Sequence, residues 1–235
     1  MKPATLYLFP VPLSDNTLTK VLPQYNIDIV KGIKYFIVEN IRSARRFLKQ
    51  CDRTINIDEL TFFSLNEHTD PAELPAMIAP LEKGNDVGVI SEAGCPAIAD
   101  PGADIVAIAQ QRGHNVMPLI GPSSILLSLM ASGFNGQSFA FNGYLPIDQQ
   151  ARTARLKELE RRIIKEHQTQ IFIETPYRNN KLMAELCKSL PGNMRLCVAS
   201  DITGEKQSII TRPLSKWSKT DYNYDKIPTI FLIYS

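Results

Sequence analysis

The residues best suited to chemistry lie in one stretch, GNDVGVISEAGCPAIADPG, spanning Gly84 to Gly102. It begins as a buried strand, Val87-Gly88-Val89-Ile90, and gives way to small residues and two prolines. Two acids stand among them: Glu92, and Asp100, whose side chain can accept from the free N–H groups of a helix start. The chain has no Gly-x-x-x-x-Gly-Lys-Ser/Thr loop and no Gly-x-Gly-x-x-Gly opening a helix, so a phosphate cradle is not the reading. Bare backbone beside one carboxylate suits a flat, polar, mostly neutral ligand whose hydroxyls the acid accepts from, and an adenosine-containing cofactor fits that description. A close-packed turn with no ligand accounts for these residues equally well.

Such a loop needs elements to position it. TLYLF (5–9), KYFIVE (34–39), LTFFSL (60–65), DVGVI (86–90) and NVMPLI (115–120) read as strands. IRSARRFLKQ has helical periodicity, and PAELPAMIAPLEKG (71–84) reads as a helix with Pro75 and Pro80 inside it. After Asp100 as N-cap and Pro101 in the first turn, Ile105, Val106, Ile108 and Ala109 form an apolar helix face that stops at Gly113. SSILLSLMASG (123–133) reads as a further short helix. This alternation predicts an α/β fold whose first domain is a mostly parallel sheet flanked by helices. Ligands of such sheets bind at the carboxyl ends of the strands, so PVPLSD, SEAGCP and GPSS should share one rim.

Beyond about residue 133 the pattern changes. SFAFNGYLP (138–146), QIFIE (170–174), MRLCVAS (194–200), KQSIITR (206–212) and PTIFLIY (228–234) read as strands, and 148–167 as a long charged helix. Thr203-Gly204 between two of the strands predicts a hairpin. The expected organisation is an N-terminal α/β domain over 1–120 and a C-terminal α/β domain with a mixed sheet over 121–235, divided where Gly121-Pro122 interrupts the pattern.

Composition narrows the class. With 235 residues, 44% hydrophobic and 21% charged, the chain can bury a sizeable core. No apolar run reaches the ~20 residues of a membrane span. The opening MKPATLYLFPVPLS lacks the pattern of an export signal, so a cytoplasmic location is the expectation. Cys51, Cys95, Cys187 and Cys197 are scattered, and His68, His114 and His167 are not spaced to join them, so neither a protein-ligated metal nor a disulfide framework is expected. The net charge of +2 is too small to act as a global field. Basic residues do cluster in 34–53 and in 151–165, where they can hold phosphates, although a solvated helix face is the plainer reading of either segment alone.

Taken together, SEAGCPAIADPG, PLIGPSS, FNGYLP and IFIETPYR resemble the S-adenosylmethionine-dependent tetrapyrrole methylase superfamily, and within it the bacterial enzymes that methylate a ribose 2′-hydroxyl of 16S ribosomal RNA. The corresponding family patterns are Ser-Asp-Ala-Gly-x-Pro with Asp-Pro-Gly, Pro-Gly-Pro-Ser/Cys, Phe/Tyr-x-Gly-Phe-Leu-Pro and Phe-Tyr-Glu-Ser-Pro-His-Arg, and the order is kept over nearly the whole chain. The resemblance implies two α/β domains with the cofactor between them, a homodimer, and S-adenosylhomocysteine as product. Carried over by position, it implies cofactor contacts from Pro12, Leu13, Glu92, Gly94, Cys95, Ser123, Ser124 and Ile125, and from Ile173, Ala199 and Pro228, where plain core packing is an equal alternative.

This sequence leaves the family pattern on the acceptor side. Ser14-Asp15 stands where the ribosomal RNA enzymes have Gly-Asn; Asn40 and Ile41 replace an acid and a hydroxyl; Ser200 and Gly204 replace an Arg and a Lys; and Glu92 replaces Asp. The acids that remain at family site positions are Glu39, Asp15 and Asp201. A sulfonium is already a good leaving group, so transfer needs mainly in-line approach, with a base to assist a hydroxyl acceptor. The expectation is therefore a methyltransferase acting on RNA, with Glu39, Asp15 or Asp201 as base and with Arg42, Arg45, Arg46 and Arg178 toward phosphates. Two rivals stay open: a methyltransferase of a small tetrapyrrole-type molecule, and a cofactor-binding module that has lost catalysis.

Overall fold

The computed structural model describes residues 3–235; Met1 and Lys2, which begin the stretch read above for an export signal, lie outside the described residues. The chain forms two compact units, Met1–Ser123 and Ser124–Ser235. The first is built on strands β1 (Thr5–Phe9), β2 (Tyr35–Val38), β3 (Thr61–Ser64), β4 (Val87–Ile90) and β5 (Asn115–Pro118) in the order β3-β2-β4-β1-β5. Every neighbouring pair is parallel. Its helices are α1 (Leu18–Val21), α2 (Gln24–Val30), α3 (Ile41–Cys51), α4 (Leu74–Met77), α5 (Ala79–Glu82) and α6 (Gly102–Gln111).

Successive side chains of a strand point to opposite faces, and both faces of this sheet are covered. Tyr7, Phe9, Phe36 and Val38 pack with Ile27 and Val30 of α2 and with Phe47 and Leu48 of α3. Leu6, Leu8, Ile37, Val87 and Val89 pack with Met77, Leu81 and Ile105 of α4 to α6. Burial on both faces explains why β1 and β4 read as unbroken apolar runs. Residues 71–84 do not form the single helix expected of them. They form a 3-10 turn, Pro71–Glu73, followed by α4 and α5. Pro75 and Pro80 each sit in a first turn, where a missing N–H is harmless, and so break the segment instead of riding inside it.

The second unit holds β6 (Phe139–Tyr144), β7 (Thr169–Ile173), β8 (Arg195–Ser200), β9 (Ser208–Pro213) and β10 (Thr229–Tyr234) in the order β6-β7-β10-β8-β9, with α7 (Ser124–Ser132), α8 (Gln149–Glu166), α9 (Asn179–Ser189) and α10 (Leu214–Trp217). Only β6 and β7 are parallel; β10 runs antiparallel to β7 and β8, and β9 to β8. Leu156, Leu159 and Ile163 of α8 and Leu182, Met183 and Leu186 of α9 cover one face, closed by Trp217, whose indole donates to the Leu196 carbonyl at 2.9 Å. Strand β6 is kinked: its register against β7 shifts between Phe141 and Tyr144, Gly143 takes φ +62°, and Asn142 donates to Ala140 O, Gln170 Oε1 and Ile171 O.

The expected hairpin forms between β8 and β9, but the sharp turning is not done by Gly204. Asp201 (φ +46°) and Thr203 (φ +71°) take the left-handed conformations. Gly204 is needed for space, since a Cβ there would lie 2.1 Å from Asp201 Oδ1.

Helix α8 docks through a buried ion pair. Arg152 donates to Glu185 on α9 at 2.7 and 2.9 Å, with the two side chains 10% and 16% exposed. Removing one partner of such a pair strands the other charge, so Arg152→Met should lose about 3–5 kcal/mol in urea denaturation, and Arg152→Met with Glu185→Leu should recover most of that loss.

Candidate functional site

The site candidates of the first unit lie at the carboxyl edge of its sheet. The chain leaves β1 across β4 to reach β2, and leaves β4 across β1 to reach β5. These oppositely directed connections go to opposite faces of the sheet, α2 and α3 on one and α6 on the other, and the crevice between such loops is where open α/β sheets bind ligands. Here the loops are held together by backbone. Val11 N–H donates to Gly94 O at 2.9 Å and Gly94 N–H to Val11 O at 3.1 Å. The Ser91 hydroxyl also donates to Gly94 O, at 3.1 Å. Gly94 is required twice over: its φ is +71°, and a Cβ would lie 3.2 Å from Leu13 and 3.4 Å from Pro122 O.

The loop after β5 joins the same cluster. A Cβ on Gly121 would lie 2.3 Å from the Pro10 ring, so that ring packs directly against the Gly121 backbone. The Cys95 thiol donates to Pro122 O at 3.5 Å, and burial raises its pKa, which makes it a packing contact and a poor nucleophile. Asn26 of α2 reaches Ile120 O at 2.8 Å and fixes this loop from below. The sequence reading missed Asn26; a polar residue beside Ile27 on the apolar face of a short helix was the available signal. The three loops expected on one rim, PVPLSD, SEAGCP and GPSS, are thus joined by specific contacts.

Asp100 acts one residue earlier than expected. Helix α6 starts at Gly102, with Pro101 in the capping position, and Asp100 Oδ1 accepts from Gly102 N–H and Ala97 N–H, both at 2.8 Å. Ala97 (φ +65°) and Ala99 (φ +60°) are left-handed without being glycine, a strain of about 1 kcal/mol each that the Asp100 bonds help to hold.

Acids gather at this edge. One hollow, floored by Val38 and Ile90, is lined by Glu39, Asp100, Pro101 and Gly102. Glu39 is exposed at this hollow, yet its pKa is raised, by desolvation first and then by the charges of Glu92, Asp100 and Glu67. Desolvation raises Asp100 as well, against its two backbone donors. A carboxylate that holds its proton to higher pH than usual, in a hollow, is a candidate general base. Asp15 is exposed on the loop after β1, beyond the half-buried Pro12 and Leu13. Among the described residues no group of three His, Cys, Asp or Glu gathers as a metal site would require.

In the second unit the picture differs. Ser124 and Ile125 begin α7, both half-buried, just after Ser123. Ile173 ends β7 half-buried and Pro228 is exposed, but Ala199 is 0% exposed inside β8 and has no surface to offer a ligand, so packing is its role in this structure. Asp201 is absorbed by the hairpin: its carboxylate accepts from Lys206 N–H at 2.8 Å and its carbonyl from Gly204 N–H at 2.8 Å. Arg178 donates to the buried Glu174 at 2.7 and 2.9 Å, so its guanidinium is already engaged.

The two basic segments also part company. In 151–165, Arg152 pairs with Glu185, and Arg155 and Arg162 share Glu158 at 2.5 and 2.6 Å, so half of that cluster is engaged in ion pairs within the unit. On α3, Arg42, Arg45 and Arg46 are exposed, and among the described residues none of them enters an ion pair; Arg45 lies over the Phe62 ring, 5.5 Å from its centroid.

Known proteins match this arrangement. A crystal structure of the methyltransferase CobJ superposes with a TM-score of 0.63 over 99% of this chain and 93% of that one at 14% identity, a likeness of fold alone. A Vibrio cholerae protein named Ribosomal RNA small subunit methyltransferase I is 29% identical over 97% of this chain and 76% of its own length. The Bacillus subtilis protein of the same name is 28% identical over 92% and 70%. The family model of the Tetrapyrrole (Corrin/Porphyrin) Methylases matches residues 39–217, which contain Glu39, the SEAGCP loop, α6 and most of the second unit. With three quarters of its length inside that match, the chain belongs to the tetrapyrrole methylases and is a methyltransferase by family.

Proposed function

We propose that this chain transfers a methyl group from S-adenosylmethionine to RNA, with a ribose 2′-hydroxyl of ribosomal RNA as acceptor. The observation that carries this reading is the hollow lined by Glu39 and Asp100, at the carboxyl edge of the same sheet whose Val11 and Gly94 loops are bridged. The names of the relatives support the choice of RNA.

The residues at this edge fit the cofactor. Gly94 keeps its stretch of backbone bare, and Glu92 is an exposed carboxylate able to accept from ribose hydroxyls. The ionised forms of Glu39 and Asp100 are disfavoured at this edge, and a ligand carrying a sulfonium and an ammonium would favour them. Pro12, Leu13, Cys95, Ser123, Ser124 and Ile125 complete the proposed contacts. When bound, the cofactor supplies an activated methyl group. Glu39 would take the proton of the acceptor hydroxyl, whose oxygen would receive the methyl as the cofactor leaves as S-adenosylhomocysteine. Asp15 is exposed and can orient the acceptor. We also infer a cytoplasmic homodimer, supported by exposed Leu126, Met130, Tyr144 and Ile147 in the second unit.

Methyl-labelled cofactor offered to separated RNA, protein and small-molecule fractions tests the reading; label found only outside RNA overturns the acceptor, and label nowhere overturns the activity. Glu39→Gln should lower kcat about 10²–10⁴-fold while leaving S-adenosylhomocysteine affinity in place. The same variant should melt slightly higher, a small effect because Glu39 is exposed and solvent screens its carboxylate. Because the folded state raises the Glu39 pKa, its contribution to stability is full below the unfolded pKa and is lost as pH rises through the folded one. The gain from Gln must therefore appear at neutral pH and vanish in acid. Calorimetry should also find S-adenosylmethionine binding tightening as pH rises through the raised Glu39 and Asp100 range, because a bound cation favours the ionised acids. The neutral-sulfur product should show a smaller change; equal pH dependence for the two would place the sulfonium away from these acids.

A further inference from the structure

The exposed face of α3 carries Arg42, Arg45, Arg46 and Lys49 at spacings of three and four residues, which places all four on one stripe. Ala44, Phe47 and Leu48 occupy the opposite, buried face. Solvated helices usually interleave acids with such residues, but α3 contains no Asp or Glu. Its cations stand as like-charge neighbours, 42 with 45 and 46, and 49 with 45 and 46, an arrangement that weakens a helix unless an outside charge answers it. The Phe62 ring under Arg45 holds one guanidinium in place without neutralising it. At the far end Lys49 Nζ donates to the neutral Arg53 O at 3.0 Å and keeps its charge uncompensated, while nearby Lys31 is taken by Asp52 at 3.0 Å.

The stripe has a direction. It begins at Arg42, immediately after Glu39 and the cap Asn40, whose side chain accepts from Arg42 N–H and Ser43 N–H. Charge therefore changes sign at the start of α3: acids on the hollow side, uncompensated cations along the helix. We propose that α3 is a track for the sugar-phosphate backbone of a single RNA strand, with phosphates laid along Arg42, Arg46 and Lys49 and the target ribose at Glu39. The rise from Arg42 to Lys49 is about 10 Å, long enough for the stripe to meet more than one phosphate. Phosphates are kept out of the hollow by its acids, and a neutral ribose hydroxyl is admitted. This inference rests on the RNA reading above and adds to it where the strand lies.

The test measures binding of a short fluorescein-labelled single-stranded RNA across a salt series, together with S-adenosylhomocysteine affinity by calorimetry. Each of Arg42→Gln, Arg46→Gln and Lys49→Gln should lower the slope of log K against log salt by about 0.7, and the triple variant by about 2, with S-adenosylhomocysteine affinity unchanged. In turnover, the RNA KM should rise for all three, while kcat falls most for Arg42→Gln and least for Lys49→Gln. A triple variant that keeps the wild-type slope overturns the track while leaving the RNA reading standing. An equal slope loss from Lys181→Gln, Lys188→Gln and Lys216→Gln on the second unit also overturns it, since that is general attraction to a basic surface. Failure of the wild-type protein to bind RNA at all removes the RNA reading, and the track with it.

Discussion

Two backbone hydrogen bonds between Val11 and Gly94 hold the site edge together. Parallel strands β1 and β4 are neighbours whose following loops run opposite ways, and nothing in the sheet ladder itself keeps those loops in register. The reciprocal bonds at 2.9 and 3.1 Å do so without any side chain. Everything nearby follows from that closeness: Gly94 has to be bare, Leu13 and Pro122 close over it, and Gly121 lies flat on Pro10. The loop beyond Gly94 must then make its way to α6 in few residues. It does so by forcing two alanines into the left-handed region, with the Asp100 carboxylate holding the bend.

The electrostatic layout is a consequence of the same topology. Glu39, Glu92 and Asp100 come from the ends of β2 and β4, which are adjacent in the sheet, so three sequence-distant carboxylates meet at one edge. Helix α3 starts from that edge and turns its charged side to solvent because Ala44, Phe47 and Leu48 claim the other. A sharp boundary between negative and positive surface arises within four residues of sequence, Glu39 to Arg42.

Much of this fold was legible in the residues. Strands buried on both faces announce themselves as continuous apolar runs, as in β1 and β4, and the rim loops could be placed because parallel strands all end on one side. The illegible parts have definite causes. Pro75 and Pro80 were compatible with a helix that contains them or with two that begin at them, and only packing decides. Helix α9 carries Leu182, Met183 and Leu186 at helical spacing, but it directly follows strand-like IFIE and a proline, which hid its start. Asp201 sat at a family site position, and its engagement in the β8–β9 turn depends on Gly204 and Lys206 closing around it in three dimensions. The gathering of acids at Glu39 required knowing that β2 pairs with β4, a register no local pattern encodes.

The kink in β6 bears on how copies of this protein can meet. As an edge strand it would present a row of free backbone groups, a template for another chain to extend the sheet. The register shift after Phe141, the left-handed Gly143 and the Asn142 amide turned inward onto Ile171 O spoil that row. Arg155 seals it further by donating to Asn142 Oδ1 at 2.8 Å. The unbroken stretch of that edge is thereby cut to Phe139–Phe141, too short a template for a well-paired added strand.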